Sequence, residues 1–205
     1  MRILCVAIGY LCGCFLTAEL VARHKTGRSA GSIGSKNPGM ANIGGLFGVK
    51  WAAVTLAGDV LKTALACLLC RYVLFPSLGR TAILYAGVGS ALGHGFPFWR
   101  GFRGGRGVAV TCTYMVLFSP LWGLAANVAG LCVLLAAGYP AAGALVIPSL
   151  CLIPIFRGAG LEAGLVASAG TALLFFLHRD SLQRMAAGTE KKTDLLAKWK
   201  KSKKD

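Results

Sequence analysis

The sequence predicts an all-α integral membrane protein: a bundle of about seven transmembrane helices, N-terminus outside and C-terminus cytoplasmic. Three observations predict it. The 205 residues are 56% hydrophobic and only 14% charged. Their mean hydropathy of +0.65 is too high for an ordinary soluble domain, which is ~45–50% apolar even with glycine counted. The apolar residues fall in long runs, enough at ~20 residues per span for about five to seven crossings. The formal net charge of +15 is concentrated, with sixteen of the 22 Lys and Arg residues in 23–45, 94–107 and 178–205. Cationic segments alternating with apolar runs are the layout of a polytopic membrane protein, and the positive-inside rule puts all three segments in the cytoplasm. Such hydrophobicity excludes a disordered basic protein. The organisation expected is one membrane domain, residues 1–178, with motif loops at 23–45 and 94–107, followed by a basic cytoplasmic tail, 179–205.

Residues 3–22 carry no charge except Glu19 and make the first span. Arg2 alone precedes it, which puts the N-terminus outside. No small-residue cleavage site with a soluble domain behind it follows, so the segment reads as a retained helix rather than a signal peptide. Residues 46–75 and 80–97 form an out-and-back pair with Arg71 and Arg80 at the outer turn. Residues 108–177 must then cross an even number of times. Two spans would each be too long, whereas four average about 17 residues, with breaks at Ser119-Pro120, Gly138-Tyr139-Pro140 and Arg157-Gly158. The run before Pro120 is short, so a five-span arrangement stays open. Short or broken helices at membrane depth are tolerated where they line a polar cavity.

The eight cysteines fall mostly inside apolar spans. Cys67-x-x-Cys70 has no second pair and no histidine partner, so the cysteines read as small core residues, with no metal site and no disulfide framework.

Chemistry-bearing residues gather in the cationic segments. Gly34-Ser35-Lys36-Asn37-Pro38-Gly39-Met40-Ala41-Asn42 packs glycines, a hydroxyl and two amides ahead of a helix. That composition suits a backbone anion site, and equally a flexible interhelical loop. Phe102-Arg103-Gly104-Gly105-Arg106-Gly107 is sharper, with two arginines around a Gly-Gly pair directly before an apolar helix. Glycine admits close approach, a helix N-terminus favours negative charge, and guanidinium binds phosphate bidentately. It is not a Walker loop, because neither the spacing nor the Lys-Ser/Thr ending is present. Asp59 and Lys62 lie one turn apart on a predicted span, a geometry that fits a structural ion pair slightly better than a proton path. His178 stands where the last span meets the cytoplasm. In the tail, Leu195, Leu196 and Trp199 among lysines suit either a short surface helix or a solvated extension. No aromatic platform accompanies the charge, so nucleic-acid binding is not expected.

The residues Gly34-Ser35-x-Asn37-x-Gly39-x-x-Asn42, then Asp59-x-x-Lys62, then Gly93-His94-x-Phe96-Pro97 through Arg103-Gly104-Gly105-Arg106-Gly107-Val108-Ala109, then His178-Arg179 through Arg184 to Gly188-Thr189-Glu190 occur in this order. The chain thereby resembles the PlsY family of bacterial acyl-phosphate-dependent glycerol-3-phosphate acyltransferases, nearly end to end. The resemblance implies a multi-pass enzyme of the cytoplasmic (inner) membrane, its active site facing the cytoplasm. It implies acyl transfer from acyl phosphate to the 1-hydroxyl of glycerol 3-phosphate, yielding lysophosphatidic acid and inorganic phosphate. No cofactor or metal is implied, and membrane lipids are the surroundings. Transferred residue by residue, Ser35, His178 and Arg106 are the catalytic candidates. Lys36, Asn37, Asn42, Arg103, Gly104, Gly105 and Gly107 are the candidates for binding substrate phosphate, the glycines through backbone donors. Asp59, Lys62 and Glu190 are expected to be structural. Where the family has lysines in the second motif this chain has Arg103 and Arg106. Three acceptor-side positions also depart: the family's arginine is Gly45, its asparagine Ser181 and its serine Ala141. Lys36, Arg28 or Lys50 are candidates to replace the missing cation. The alternatives are a divergent member with another acceptor and a non-catalytic membrane protein that keeps the fold.

Overall fold

The computed structural model describes residues 1–193, and the ordered elements among them are helices, with no strand. The polar half of the tail expectation, with Leu195, Leu196 and Trp199, lies outside the described residues.

The first apolar run forms α1 (Arg2–Gly13) and α2 (Thr17–Thr26), interrupted at Cys14–Leu16 rather than continuous as expected. The break survives because polar partners replace the missing helical bonds. Lys62 Nζ donates to the carbonyls of Gly13 and Phe15 at 3.3 and 2.6 Å, and Trp99 Nε1 donates to that of Cys14 at 2.9 Å. After the first loop come α3 (Met40–Phe47) and α4 (Val49–Leu68), parted by Gly48 at φ +86°. The long helix expected from residue 46 therefore begins at 49. A π turn, Leu69–Leu74, extends α4.

Next come α5 (Thr81–Gly95), α6 (Val108–Phe118), α7 (Pro120–Ala137), α8 (Pro140–Leu177) and the short α9 (Arg179–Ala186). The breaks expected at Ser119-Pro120 and around Gly138 are present, each with proline at the start of the next helix. The third falls at Gly160 and not at Arg157-Gly158: Gly160 adopts φ +83°, which divides α8 into two segments. Among the described residues, four helical stretches are long and apolar enough to cross a membrane: Arg2–Thr26, Val49–Leu74, Pro120–Ala137 and Pro140–Leu177.

Glycine sets the closest helix contact. Gly9 and Gly13 of α1 face Gly89 and Gly93 of α5, and a Cβ on Gly9 or Gly93 would stand 2.1 Å from a carbonyl oxygen of the other helix. Small residues at such spacing are how helices pack in lipid, where no hydrophobic force favours one apolar surface over another. The core around Cys5, Cys67, Leu84, Tyr114 and Met115 is apolar, but so is the outside: Leu61, Leu121 and Leu161 are each at least 68% exposed. A helix apolar on all sides has lipid for solvent.

The two ends of the bundle differ. At one, Arg2 forks onto Glu162 at 2.8 and 2.9 Å, and Tyr85 adds a hydrogen bond at 3.1 Å. At the other, the two glycine-rich loops, the α7–α8 turn and the α8–α9 junction come together.

Candidate active site

The first loop is built from within. Asn42, on the first turn of α3, accepts the Ser35 N–H at 2.8 Å and donates to the carbonyls of Ala30 and Ile33 at 3.3 and 3.2 Å. It is buried, and its amide is fully engaged in shaping residues 30–35. Asn42, a candidate for substrate phosphate, here has its side chain on backbone groups of a loop that has no ladder to satisfy them. Asn37 is half-buried beside it, while Ser35 and Lys36 stand exposed on the rim, Lys36 in the left-handed region at φ +61°.

The second loop doubles back onto the end of α5. The N–H groups of Gly104 and Gly105 donate to the carbonyls of Gly95 and His94, both at 2.9 Å. These two candidate ligand donors are thus occupied here as caps on the end of α5. A helix ends with unsatisfied carbonyls, and this loop is their partner. The fit needs glycine. A Cβ on Gly104 would stand 2.0 Å from the His94 carbonyl, and one on Gly105 would stand 2.2 Å from His94 Nε2 and 2.9 Å from the Pro38 carbonyl. Gly105 is thus where the two loops touch. Gly107 follows as the N-cap of α6 in the left-handed conformation, so the positive end of that helix opens directly behind Arg106.

Between the loops lies a cavity of about 320 Å³ lined by Ser29, Gly31, Ser32, Lys36, Pro38, Arg100, Arg103 and Gly104. It unites Lys36 and Arg103 with Arg100, which the motif reading left out. Ser35, Asn37, Arg106 and His178 do not line it. The last two form a neighbouring cluster. A Cβ on Gly95 would stand 3.1 Å from both Leu177 methyls, so Leu177 packs against that glycine and places His178 beside the second loop. His178 Nδ1 lies 2.9 Å from the Leu174 carbonyl. A carbonyl only accepts, so Nδ1 carries a proton, and in the neutral ring it is Nε2 that keeps its lone pair. Burial, with a smaller contribution from the Arg106 charge, pushes the His178 pKa down from its ordinary value. Glu190 pairs with Arg184, and that hydrogen bond holds its carboxyl below the usual range. Arg184 also donates to Ser181 at 3.1 Å, so these three tie α9 to the chain that follows it. Ala141 and Ser181 are buried, and Gly45 is exposed with open space about it.

Beneath the loops lies a buried charge cluster. Lys62 Nζ meets Asp59 Oδ1 at 2.8 Å and His94 Nδ1 at 2.9 Å, besides the two carbonyls of the α1–α2 break. An ammonium has only donors, so His94 Nδ1 accepts and its proton sits on Nε2, next to Gly105. The expected ion pair is present, and it reaches further than a pair: it joins α1, α4, α5 and the second loop.

Two residues of the site carried no motif signal. Arg100 enters the cavity, and Glu19, 2% exposed, accepts Arg23 Nε at 2.7 Å, Ser29 Oγ at 3.0 Å and the Ala30 N–H at 2.9 Å. The sequence did hold one hint of it: a carboxylate inside an apolar span is costly enough to need a purpose.

A helical bundle apolar inside and out, with a cationic cavity at one end between two interlocked glycine loops, defines a polytopic integral membrane protein with a polar site at the end of its helices. The profile of the family described as Glycerol-3-phosphate acyltransferase matches residues 3–188. The chain belongs to that family. It is 36% identical over 201 residues to glycerol-3-phosphate acyltransferase 1 of Lactobacillus johnsonii, covering 96% of this chain and 94% of that one. With the Lactobacillus acidophilus protein of the same name it shares 37% over 204 residues, covering 98% and 96%. Among solved structures it is similar to PlsY, an integral membrane glycerol 3-phosphate acyltransferase, in its glycerol 3-phosphate form. That match has a TM-score of 0.84 at 26% identity and covers 96% of this chain and 97% of the other. The lysophosphatidic acid form matches with a TM-score of 0.82 at 25% identity, over 95% and 96%.

Proposed function

We propose that this protein transfers a fatty acyl group from acyl phosphate to the 1-hydroxyl of glycerol 3-phosphate, releasing lysophosphatidic acid and inorganic phosphate. It does so in the bacterial cytoplasmic membrane, with seven spans, the N-terminus outside and the loop end facing the cytoplasm. The observation that carries this reading is the convergence of Lys36, Arg100 and Arg103 on one cavity, beside Arg106 and a His178 whose Nδ1 is held by the Leu174 carbonyl, leaving Nε2 without a protein partner. Both substrates carry phosphate, and the two similar solved structures are described as the glycerol 3-phosphate form and the lysophosphatidic acid form.

The chemistry asks little of the protein beyond placement and charge. The donor is a mixed anhydride with a good leaving group. The acceptor oxygen bonds to the acyl carbon, the bond from that carbon to the phosphate oxygen breaks, and phosphate departs with the electron pair. The hydroxyl proton passes to His178 Nε2. Arg106 and Ser35 contact phosphate groups, while Lys36, Asn37 and Arg103 add hydrogen bonds and charge, which are stronger at a site screened from bulk water. Gly107 leaves the end of α6 open, and Asn42, Gly104 and Gly105 keep the two loops in register. Asp59, Lys62 and Glu190 position the elements around them.

The test is an assay of purified protein with a long-chain acyl phosphate and glycerol 3-phosphate. Phosphate and lysophosphatidic acid are expected in equal amounts, and no turnover at millimolar acceptor overturns the reading. His178→Ala should lower kcat by about 10²–10⁴-fold, the range of general-base catalysis. The pH dependence has a definite sign. The His178 pKa is lowered, so the neutral base persists below the ordinary histidine value of ~6.5. The acid limb of kcat/KM is expected below that pH, with activity retained as pH falls from 7 and lost only further down.

Gly45 favours a second reading with a different phosphorylated acceptor, because the position is open and bears no side chain. Gly45→Arg is expected to lower the KM for glycerol 3-phosphate about fivefold, as one charge-assisted contact permits, with kcat unchanged. An unaltered KM together with better turnover of another acceptor supports the second reading.

A further inference from the structure

Most of the cationic cavity is assembled from parts far apart in sequence, and one buried carboxylate joins them. Glu19 Oε2 receives Ser29 Oγ and the Ala30 N–H of the first loop, and lies 3.4 Å from Arg100 Nη2 of the second. Arg100 Nη2 also donates to Ser29 Oγ at 2.7 Å, and Nη1 donates to the Arg103 carbonyl at 3.2 Å. The chain of contacts thus runs from α2 through the first loop to the backbone of Arg103. Ser29, Arg100 and Arg103 are all cavity walls. Gly31 gives independent evidence that the clamp is fitted closely. A Cβ there would stand 2.7 Å from Arg100 Nη2, so a side chain at residue 31 would force the guanidinium to shift.

We infer that Glu19 is a positioning residue for substrate phosphate: it holds the two loops at the separation at which Lys36 and Arg103 bind one anion together. This rests on the proposed acyl transfer. It makes a prediction opposite to that of simple charge. Removing a carboxylate beside a cationic cavity raises the local positive potential, which alone would tighten phosphate binding. A clamp predicts the reverse, because two cations that no longer converge lose their shared ligand.

The experiment measures steady-state kinetics of full-length Glu19→Ala, Glu19→Asp and Gly31→Ala, with inorganic phosphate as competing probe and amide hydrogen exchange across residues 28–36. Glu19→Ala is expected to raise KM for a phosphorylated substrate about tenfold, as lost charge-assisted bonds allow. The inhibition constant of phosphate rises in parallel, kcat changes far less, and exchange at Ala30 accelerates. Glu19→Asp, which keeps the charge, recovers part of the affinity. Gly31→Ala leaves the carboxylate and its loop bonds in place yet displaces Arg100, and shifts KM in the same direction. It decides the matter if Glu19→Ala does not fold. An unchanged or lowered KM in both Glu19→Ala and Gly31→Ala overturns the inference. Wild-type protein without any turnover overturns the proposed activity instead, and exchange at Ala30 then still reports on the clamp.

Discussion

Lys62→Met is expected to destabilise the protein by about 3–5 kcal/mol, the usual cost of stripping a buried charge of its partner. Asp59 and Lys62 are each about 5% exposed at the side chain and 2.8 Å apart, so water cannot take the place of the ammonium. The loss extends past the pair. The carbonyls of Gly13 and Phe15 lose the donor that sustains the α1–α2 break, and His94 loses the group that fixes its tautomer. Denaturation in detergent micelles checks the stability. The double variant Asp59→Asn, Lys62→Met is expected to recover a large part of it, because it removes the orphaned charge. If the single variant is as stable as wild type, the cluster does not hold the bundle as described.

Gly105→Ala should reduce kcat/KM about 100-fold, the scale reached when a reacting geometry is displaced by about an ångström. The added methyl would stand 2.2 Å from His94 Nε2 and 2.9 Å from the Pro38 carbonyl. His94 cannot yield, because Lys62 holds its other nitrogen, so the second loop must lift away from the first. Arg103 and Arg106 flank that glycine and move with it. Gly158→Ala is the control, since nothing lies within 4 Å of that position, and it should leave kcat/KM unchanged. The comparison needs only kinetics and a melting curve for each variant. Equal activity of Gly105→Ala and wild type would show that loop contact at this point is dispensable.

Much of this was readable from residues alone, and the misses have physical causes. Helix ends at Pro120 and Pro140 were legible because proline cannot continue a preceding helix. Gly160 was not, since Gly158 and Gly160 offer the same conformational freedom and only packing chooses between them. The loops themselves were legible as glycines and cations gathered at helix ends. Which donors face a ligand was not legible. Gly104, Gly105 and Asn42 have the chemistry of an anion site, but that chemistry also satisfies stranded backbone, and here the backbone claims it. Glu19 and Arg100 escaped because their partnership spans some eighty residues and leaves no local pattern. Lys62 fell between the two cases. Its bond to Asp59 is local and was expected, whereas its bonds to α1 and His94 are not.

That last arrangement has a consequence for biogenesis. The chain is made from its N-terminus, so the interrupted first helix leaves the ribosome before Lys62, and Lys62 before His94. Until α5 and the loop after it are inserted, the Cys14 carbonyl lacks Trp99 and the Asp59–Lys62 pair lacks His94. The first loop likewise awaits Arg100. A chain arrested or cleaved before α5 therefore holds only the first-loop half of the cationic cavity, without Arg100 and Arg103. The break in the first helix and the first loop are therefore completed only by residues made some eighty positions later, Trp99 and Arg100.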